Sequence, residues 1–301
     1  MRPEGDAALV ARAEELLDVL ALETVEHNLY LGQNEQRGPR RLFGGQVLAQ
    51  AAMAAYHTVQ DVHLHSVHAY FLRAGSPDRP VLYEVERIRD GRSFVTRRVV
   101  AIQGGEAILS LDASFQVDEP GFEHSHPMPN VPLPDELQDD WRMAAAMAAD
   151  APHAHLLSPM ARLPRPFVTR GVFAPGSAPW AAERYFSPTW LRFPLALGGD
   201  VHGTQAFKRC LLAYASDLSL VSTASLPHQD ELARNALQMA SLDHALWIHR
   251  PVAPDEWLLF AKRTTTAQGA RGLVHADFFD LKGELVASVT QEGLLRTQAG
   301  P

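Results

Sequence analysis

The chain has one cysteine in 301 residues, no run of 18 uncharged apolar residues and no cluster of basic charge. A lone Cys210 closes no intrachain disulfide and fits a reducing compartment. No segment has the length and apolarity of a bilayer-spanning helix. Residues 1–6 lack a basic stretch leading into an apolar core, and Ala299-Gly300-Pro301 is not a peroxisomal address. The expectation is a soluble protein of the cytoplasm. With 27 Lys+Arg against 35 Asp+Glu the net charge is −8, so neither nucleic acid nor an anionic membrane is the expected partner. Gly-x-Gly-x-x-Gly, Walker A and Gly-x-Ser-x-Gly patterns are all missing, which excludes dinucleotide, ATP and α/β-hydrolase routes. The pairs His63/His65, His124/His126 and His153/His155 have no carboxylate or Cys at ligand spacing beside them, so no metal is expected on them.

An apolar fraction of 46% with 21% charged residues is that of a folded protein, and the length suits two domains. Leu9, Ala13, Leu16, Leu17 and Leu20 recur at helical intervals over residues 7–20. A short strand-like piece follows at residues 25–31. From Val47 to Tyr56 the residues are small, apolar and uncharged, the mark of a helix buried on every side. The period then switches to two over residues 62–72, 81–88, 94–102 and 107–117, with turn signals at Asp90-Gly91 and Gly104-Gly105. A buried helix followed by an antiparallel meander predicts an α+β layout in which the sheet wraps the helix. Residues 119–166 carry nine prolines and one short helical stretch near Trp141–Ala149, and they are read as a linker. The predicted division is 1–120, a linker at 121–165, and 166–301.

The second half echoes the first. Leu48-Ala49-Gln50-Ala51 returns as Leu212-Ala213-Tyr214-Ala215, 212 − 48 = 164 residues later. His68-Ala69 returns as His244-Ala245 (244 − 68 = 176), and Gly105-Glu106 as Gly283-Glu284 (283 − 105 = 178). Matches in consistent order indicate a duplicated unit.

Phe43-Gly44-Gly45-Gln46, the run His65–Arg73, Arg89-Asp90-Gly91-Arg92-Ser93-Phe94 and Ala113-Ser114-Phe115-Gln116 lie in the first half. Tyr214-Ala215-Ser216-Asp217, the run Asp243–Pro251 and Val289-Thr290-Gln291-Glu292-Gly293 lie in the second. Together these motifs resemble the acyl-CoA thioesterase II family. The resemblance implies a double hotdog fold: two tandem antiparallel sheets, each wrapped round a helix, in one chain. It also implies hydrolysis of acyl-CoA to free acid and CoA without a cofactor, and association into homo-oligomers. Its catalytic set falls by motif on Asp217, Ser241 and Gln291. Many members carry Thr where this chain has Ser241, which keeps the hydroxyl and loses the stiffness of a β-branched side chain.

Read as residues, the three sites offer compatible chemistry. Asp217 stands in an apolar helical stretch, where a carboxylate must be paired, hydrated or functional. Ser241 precedes an apolar strand and Gln291 interrupts one. An acceptor, a hydroxyl and an amide together can orient one water, with Asp217 as general base. Backbone N–H groups around Gly44-Gly45-Gln46 are candidates for an oxyanion site. At the repeat shifts, Asp217, Ser241 and Gln291 face Met53, His65 and Ala113, so the second half supplies the chemistry and the first supplies core and groove wall. His65 and His68 are expected in the core or lining the groove, and Cys210 has no base to activate it. Two other readings stay open: an acyl-CoA-binding module without turnover, and an enoyl-CoA hydratase on the same frame.

Overall fold

A computed structural model describes residues 4–35, 41–149, 165–173, 183–228 and 236–298. Helix α1 (Glu4–Leu20) precedes the hairpin β1 (Glu23–Glu26) and β2 (Leu29–Gly32). Asn28, at φ 61°, makes that turn, a backbone conformation Asn tolerates better than most residues. Helix α2 (Gly44–Tyr56) is buried continuously from Gly45 to Ala55, as its uncharged, small-residue sequence predicts. Four strands follow: β3 (His63–Phe71), β4 (Val81–Asp90), β5 (Phe94–Gln103) and β6 (Glu106–Gln116). Helix α3 (Asp140–Ala149) leads to β7 (Val168–Gly171) and β8 (Phe186–Arg192). Then come helices α4 (Gln205–Ser216) and α5 (Leu220–Thr223). Strands β9 (Ala236–Ser241), β10 (Asp243–Ile248), β11 (Leu258–Gln268), β12 (Arg271–Phe279) and β13 (Leu285–Gln298) complete the chain.

The strands form one antiparallel sheet in the order β1-β2-β4-β5-β6-β3-β10-β13-β12-β11-β8-β7, with β9 paired to β13. The two halves of that order mirror each other across the β3–β10 seam, whose register runs from Asp243↔Tyr70 to Trp247↔Ser66. Such a duplicated, helix-wrapping sheet is the double hotdog architecture that the sequence predicts. Helices α2 and α4 share one face of the sheet and a single apolar core that includes Leu48, Leu212, Val67 and Leu246. The opposite face of the second half holds a smaller cluster around Trp190, Trp257, Leu259 and Phe279. Residues of the proline-rich segment lie on it. Met128, Val131, Leu137 and Trp141 pack there, and Pro132 accepts from Trp190 Nε1 at 2.8 Å.

Three details differ from the sequence reading. The helical stretch expected to run on past Asp217 ends at Ser216. Asp217 is the C-cap, and Ser219 at φ 59° breaks the chain before α5. The helix match at a shift of 164 slips by one turn. The caps instead relate Thr204 to Phe43 and Asp217 to His57, because a run of alanines matches itself at several registers. The pairing of His68 with His244 also fails, since His68 is exposed and His244 is buried at 1% exposure. A one-residue slip on a strand reverses the face. The Gly105–Gly283 match stands, both residues having φ near 80° (85° and 80°).

Candidate active site

Asp217 sits where the C-terminal end of α4 meets the N-terminal end of α2. That crossing depends on two glycines. A Cβ on Gly45 would lie 2.5 Å from the Tyr214 carbonyl oxygen, and one on Gly44 would lie 2.8 Å from Asp217 Oδ2. At those distances the Tyr214 backbone or the Asp217 carboxylate would have to shift, so the Gly44-Gly45 pair lets the helix ends close on the carboxylate. Phe43, the N-cap of α2, has no side-chain acceptor for the helix's first N–H groups. The Asp217 carboxylate, 7% exposed, takes that role from the other helix through the Gly45 backbone amide.

Gln291 Nε2 donates to Asp217 Oδ1 at 2.7 Å, and Ser241 Oγ donates to the same oxygen at 3.4 Å. All three residues singled out by sequence therefore converge within hydrogen-bond reach. Gln291 projects from β13 at the point where its partner changes from β10 to β9. Ser241 is the last residue of β9, paired with Gly293. Burial pushes the Asp217 carboxyl up to about 6, against the pull of Gln291, Gly45, Ser241 and the Arg165 cation. The negative end of its own helix acts in the same upward direction as burial, and the positive end of α2 opposes it. A buried carboxyl tuned toward neutral pH suits general-base work.

One member of the site was not singled out for this role by sequence reasoning. His244, on β10, receives a hydrogen bond at Nδ1 from Gln291 Nε2 (3.0 Å), and its Nε2 lies 2.8 Å from Ser216 Oγ. Burial pushes its pKa down to about 3, so the ring is neutral. The signal was in the alternation of Asp243–Ile248, which puts His244 on the same face as Leu246 and Ile248. Among the described residues, buried Gln291 Oε1 has no hydrogen-bond partner.

Of the expected oxyanion donors, Gln46 N–H bonds the Phe43 carbonyl at 3.1 Å and Gly45 N–H is directed to Asp217. His65 bonds Ser114 Oγ at 2.8 Å, and His63 lies 3.6 Å from Asp118. His126 faces Asp277 at 3.3 Å. His153 and His155 lie outside the described residues. Burial pushes the Cys210 thiol well up, which keeps it protonated and unreactive.

The chain matches the model of the acyl-CoA thioesterase N-terminal domain over residues 35–116 and that of acyl-CoA thioesterase over residues 193–294. It is 36% identical over 285 residues to acyl-CoA thioesterase 2 of Haemophilus influenzae, covering 93% of this chain and 96% of that one. It is 39% identical over 300 residues to mouse acyl-coenzyme A thioesterase 8, covering 97% and 92%. Among solved structures, an acyl-CoA thioesterase II from Mycobacterium marinum superposes with a TM-score of 0.76 at 38% identity, over 95% of this chain and all of that one (100%). A hot dog protein from Alicyclobacillus acidocaldarius, 19% identical, shares the fold with a TM-score of 0.72, over 94% of this chain and 98% of that one.

Proposed function

The chain belongs to the acyl-CoA thioesterase II family and hydrolyses acyl-CoA thioesters, and from that premise we propose that Asp217, Ser241 and Gln291 are its catalytic residues. Asp217 is the general base. It takes a proton from a water, and the oxygen of that water attacks the thioester carbonyl carbon. The tetrahedral intermediate collapses by breaking the C–S bond. The CoA thiolate departs without needing a strong acid, since a thiol ionises near pH 8.5. Ser241 and Gln291 hold the carboxylate in place by donating to Oδ1, and Gln291 Oε1 is an acceptor for a hydrogen of the water. The observation that carries this reading is the convergence of Gln291 Nε2 and Ser241 Oγ on one oxygen of a buried carboxylate.

The first half supplies Gly44 and Gly45, so both halves build the site. The division into hotdog halves at 1–120 and 166–301, with a linker at 121–165, belongs to the same proposal. So do residence in the cytoplasm and association with copies of itself, the latter readable by light scattering. Among the described residues no helix is long and apolar enough to cross a membrane.

The test is steady-state thiol release with single substitutions of the three residues. Gln291→Ala and Ser241→Ala are each expected to lower kcat, Gln291→Ala more, because its bond to Asp217 is the shorter. Wild-type kcat in Gln291→Ala removes that residue from the set.

A further inference from the structure

Gln291 can serve the proposed site in two opposite ways, and its neighbours decide between them. A carboxamide offers two N–H donors on one atom and a carbonyl acceptor on the other. Turned one way, it presents its N–H groups to a reacting molecule and could support a developing oxyanion. Turned the other way, it presents only an acceptor. Its orientation is a matter of which groups surround it.

Four buried groups form a chain with a fixed sense. Ser216 Oγ donates its hydrogen to the Ala213 carbonyl at 2.8 Å. Having spent its donor, it can only accept from His244 Nε2, 2.8 Å away. The imidazole proton is therefore on Nε2, and Nδ1 of a neutral ring is an acceptor. Nδ1 faces Gln291 at 3.0 Å, and the Asp217 carboxylate faces it at 2.7 Å. Both neighbours only accept, so the amide nitrogen must point at them and spends its two N–H groups there. The carbonyl Oε1 is then the sole free group of Gln291, and among the described residues it has no partner. The sense of the chain starts from a backbone carbonyl on α4 and ends on the base one residue beyond that helix. Ser216, His244 and Gln291 are all 1% exposed or less, so solvent does not compete for any link.

We propose that His244 is a positioning residue: through its unprotonated Nδ1 it locks the Gln291 carboxamide with Nε2 on Asp217 and Oε1 left unpaired, which makes Gln291 an acceptor for the attacking water and not an oxyanion donor. This rests on Asp217, Ser241 and Gln291 being the catalytic residues. It goes beyond that reading by assigning to His244 and Ser216 the role of fixing the direction in which Gln291 acts.

The experiment compares four full-length variants with wild type, using the saturated acyl-CoA that the wild type hydrolyses fastest. His244→Phe keeps a ring but removes the acceptor. The expected result is a kcat lower by about 10- to 100-fold, within the span of positioning effects, with KM within about threefold. His244→Asn places an amide oxygen near the Nδ1 position and is expected to restore kcat to within about fivefold of wild type. Ser216→Ala removes the group that fixes the tautomer and gives an intermediate loss. Nitrogen-15 NMR of histidine-labelled wild type, with His244 assigned by its loss in His244→Asn, is expected to show a neutral Nε2–H tautomer from pH 5 to 8. That spectrum is recorded on the wild type and its assignment needs only the His244→Asn chain, so a His244→Phe chain that does not fold leaves the test intact. A folded His244→Phe chain with kcat within twofold of wild type overturns the inference, as does an Nδ1–H tautomer or an imidazolium. Asp217→Asn, run in parallel, separates the two levels. If it is inactive while His244→Phe is unaffected, only this inference falls. If it keeps full activity, the reading of the site falls and takes this inference with it.

Discussion

Asp217 is held between opposing influences. Desolvation raises its pKa to about 6, and donors from Gln291, Gly45 and Ser241 favour the charged form. A base with that pKa must be deprotonated to act, so kcat/KM is expected to be flat above about pH 7. Below about 6 it should fall toward a tenfold loss per pH unit, in a pH–rate profile read to pH 4.5. The same shift has a stability consequence of the opposite sign. The folded state holds the proton more tightly than the unfolded chain, where an aspartate titrates near 3.8. This contribution is present in full below that pH and is lost as pH rises through 6. At pH 8 the buried charge costs about 3 kcal/mol. Asp217→Asn is therefore expected to unfold at higher denaturant than wild type at pH 8, with the advantage vanishing near pH 4.

Gly44 gives a second residue-scale prediction. A methyl group 2.8 Å from Asp217 Oδ2 must displace the carboxylate, so Gly44→Ala is expected to lower kcat by about tenfold or more while the chain stays folded. The motif made the three catalytic candidates and the two glycines visible. It did not show that Gly45 N–H serves Asp217, because which donor meets which acceptor is set by how two helices cross. His244 was visible only as a repeat marker. The match to His68 concealed that one side chain points in and the other out.

At the scale of elements, periodicity located α1, α2 and strands β3 to β6 to within a few residues, but read the hairpin β1–β2 as one strand-like piece over residues 25–31, missing the turn at Asn28. The small, uncharged run at Val47–Tyr56 gave the buried helix because no other structure hides so many backbone groups internally. What periodicity could not give was the break after Ser216. Ser219 adopts a left-handed conformation without being Gly or Asn, and only tertiary packing supports that cost. The proline-rich segment was equally opaque, since its contacts are to distant residues. Arg170 ties that segment down. It donates to Asp139 at 2.7 Å and to the Pro134 carbonyl at 2.6 Å, and stacks over Trp257 at 4.6 Å. Arg170→Ala is expected to lower stability by about 1–3 kcal/mol in a denaturant titration. It should leave kcat near wild type, because Asp139, Pro134 and Trp257, which Arg170 touches, belong with the cluster on the face of the sheet away from α4.

At the scale of the molecule, the duplication produced one sheet and one site built from both halves. The seam register of five residue pairs joins β3 to β10, and the main core runs through α2 and α4 alike. The fragment 166–301 carries all three polar groups but lacks the α2 N-terminus that meets Asp217. Expressed alone it is expected to show no thiol release, and activity from it would show that the first half is dispensable. This dependence explains why the sequence suggested a site supplied mainly by the second half. Side-chain chemistry can be read from a motif, whereas a contribution made by backbone N–H groups and by the absence of a Cβ leaves little trace in it.

The central claim is that a buried Asp217 carboxylate activates the water that cleaves the thioester. It is tested most directly by thiol release from a panel of saturated acyl-CoAs, short to long, comparing wild type with Asp217→Asn at pH 8. The account predicts turnover by the wild type and a loss of about 10²-fold or more in the variant across the panel, the range general-base catalysis supplies. Equal turnover by a folded Asp217→Asn chain would contradict it.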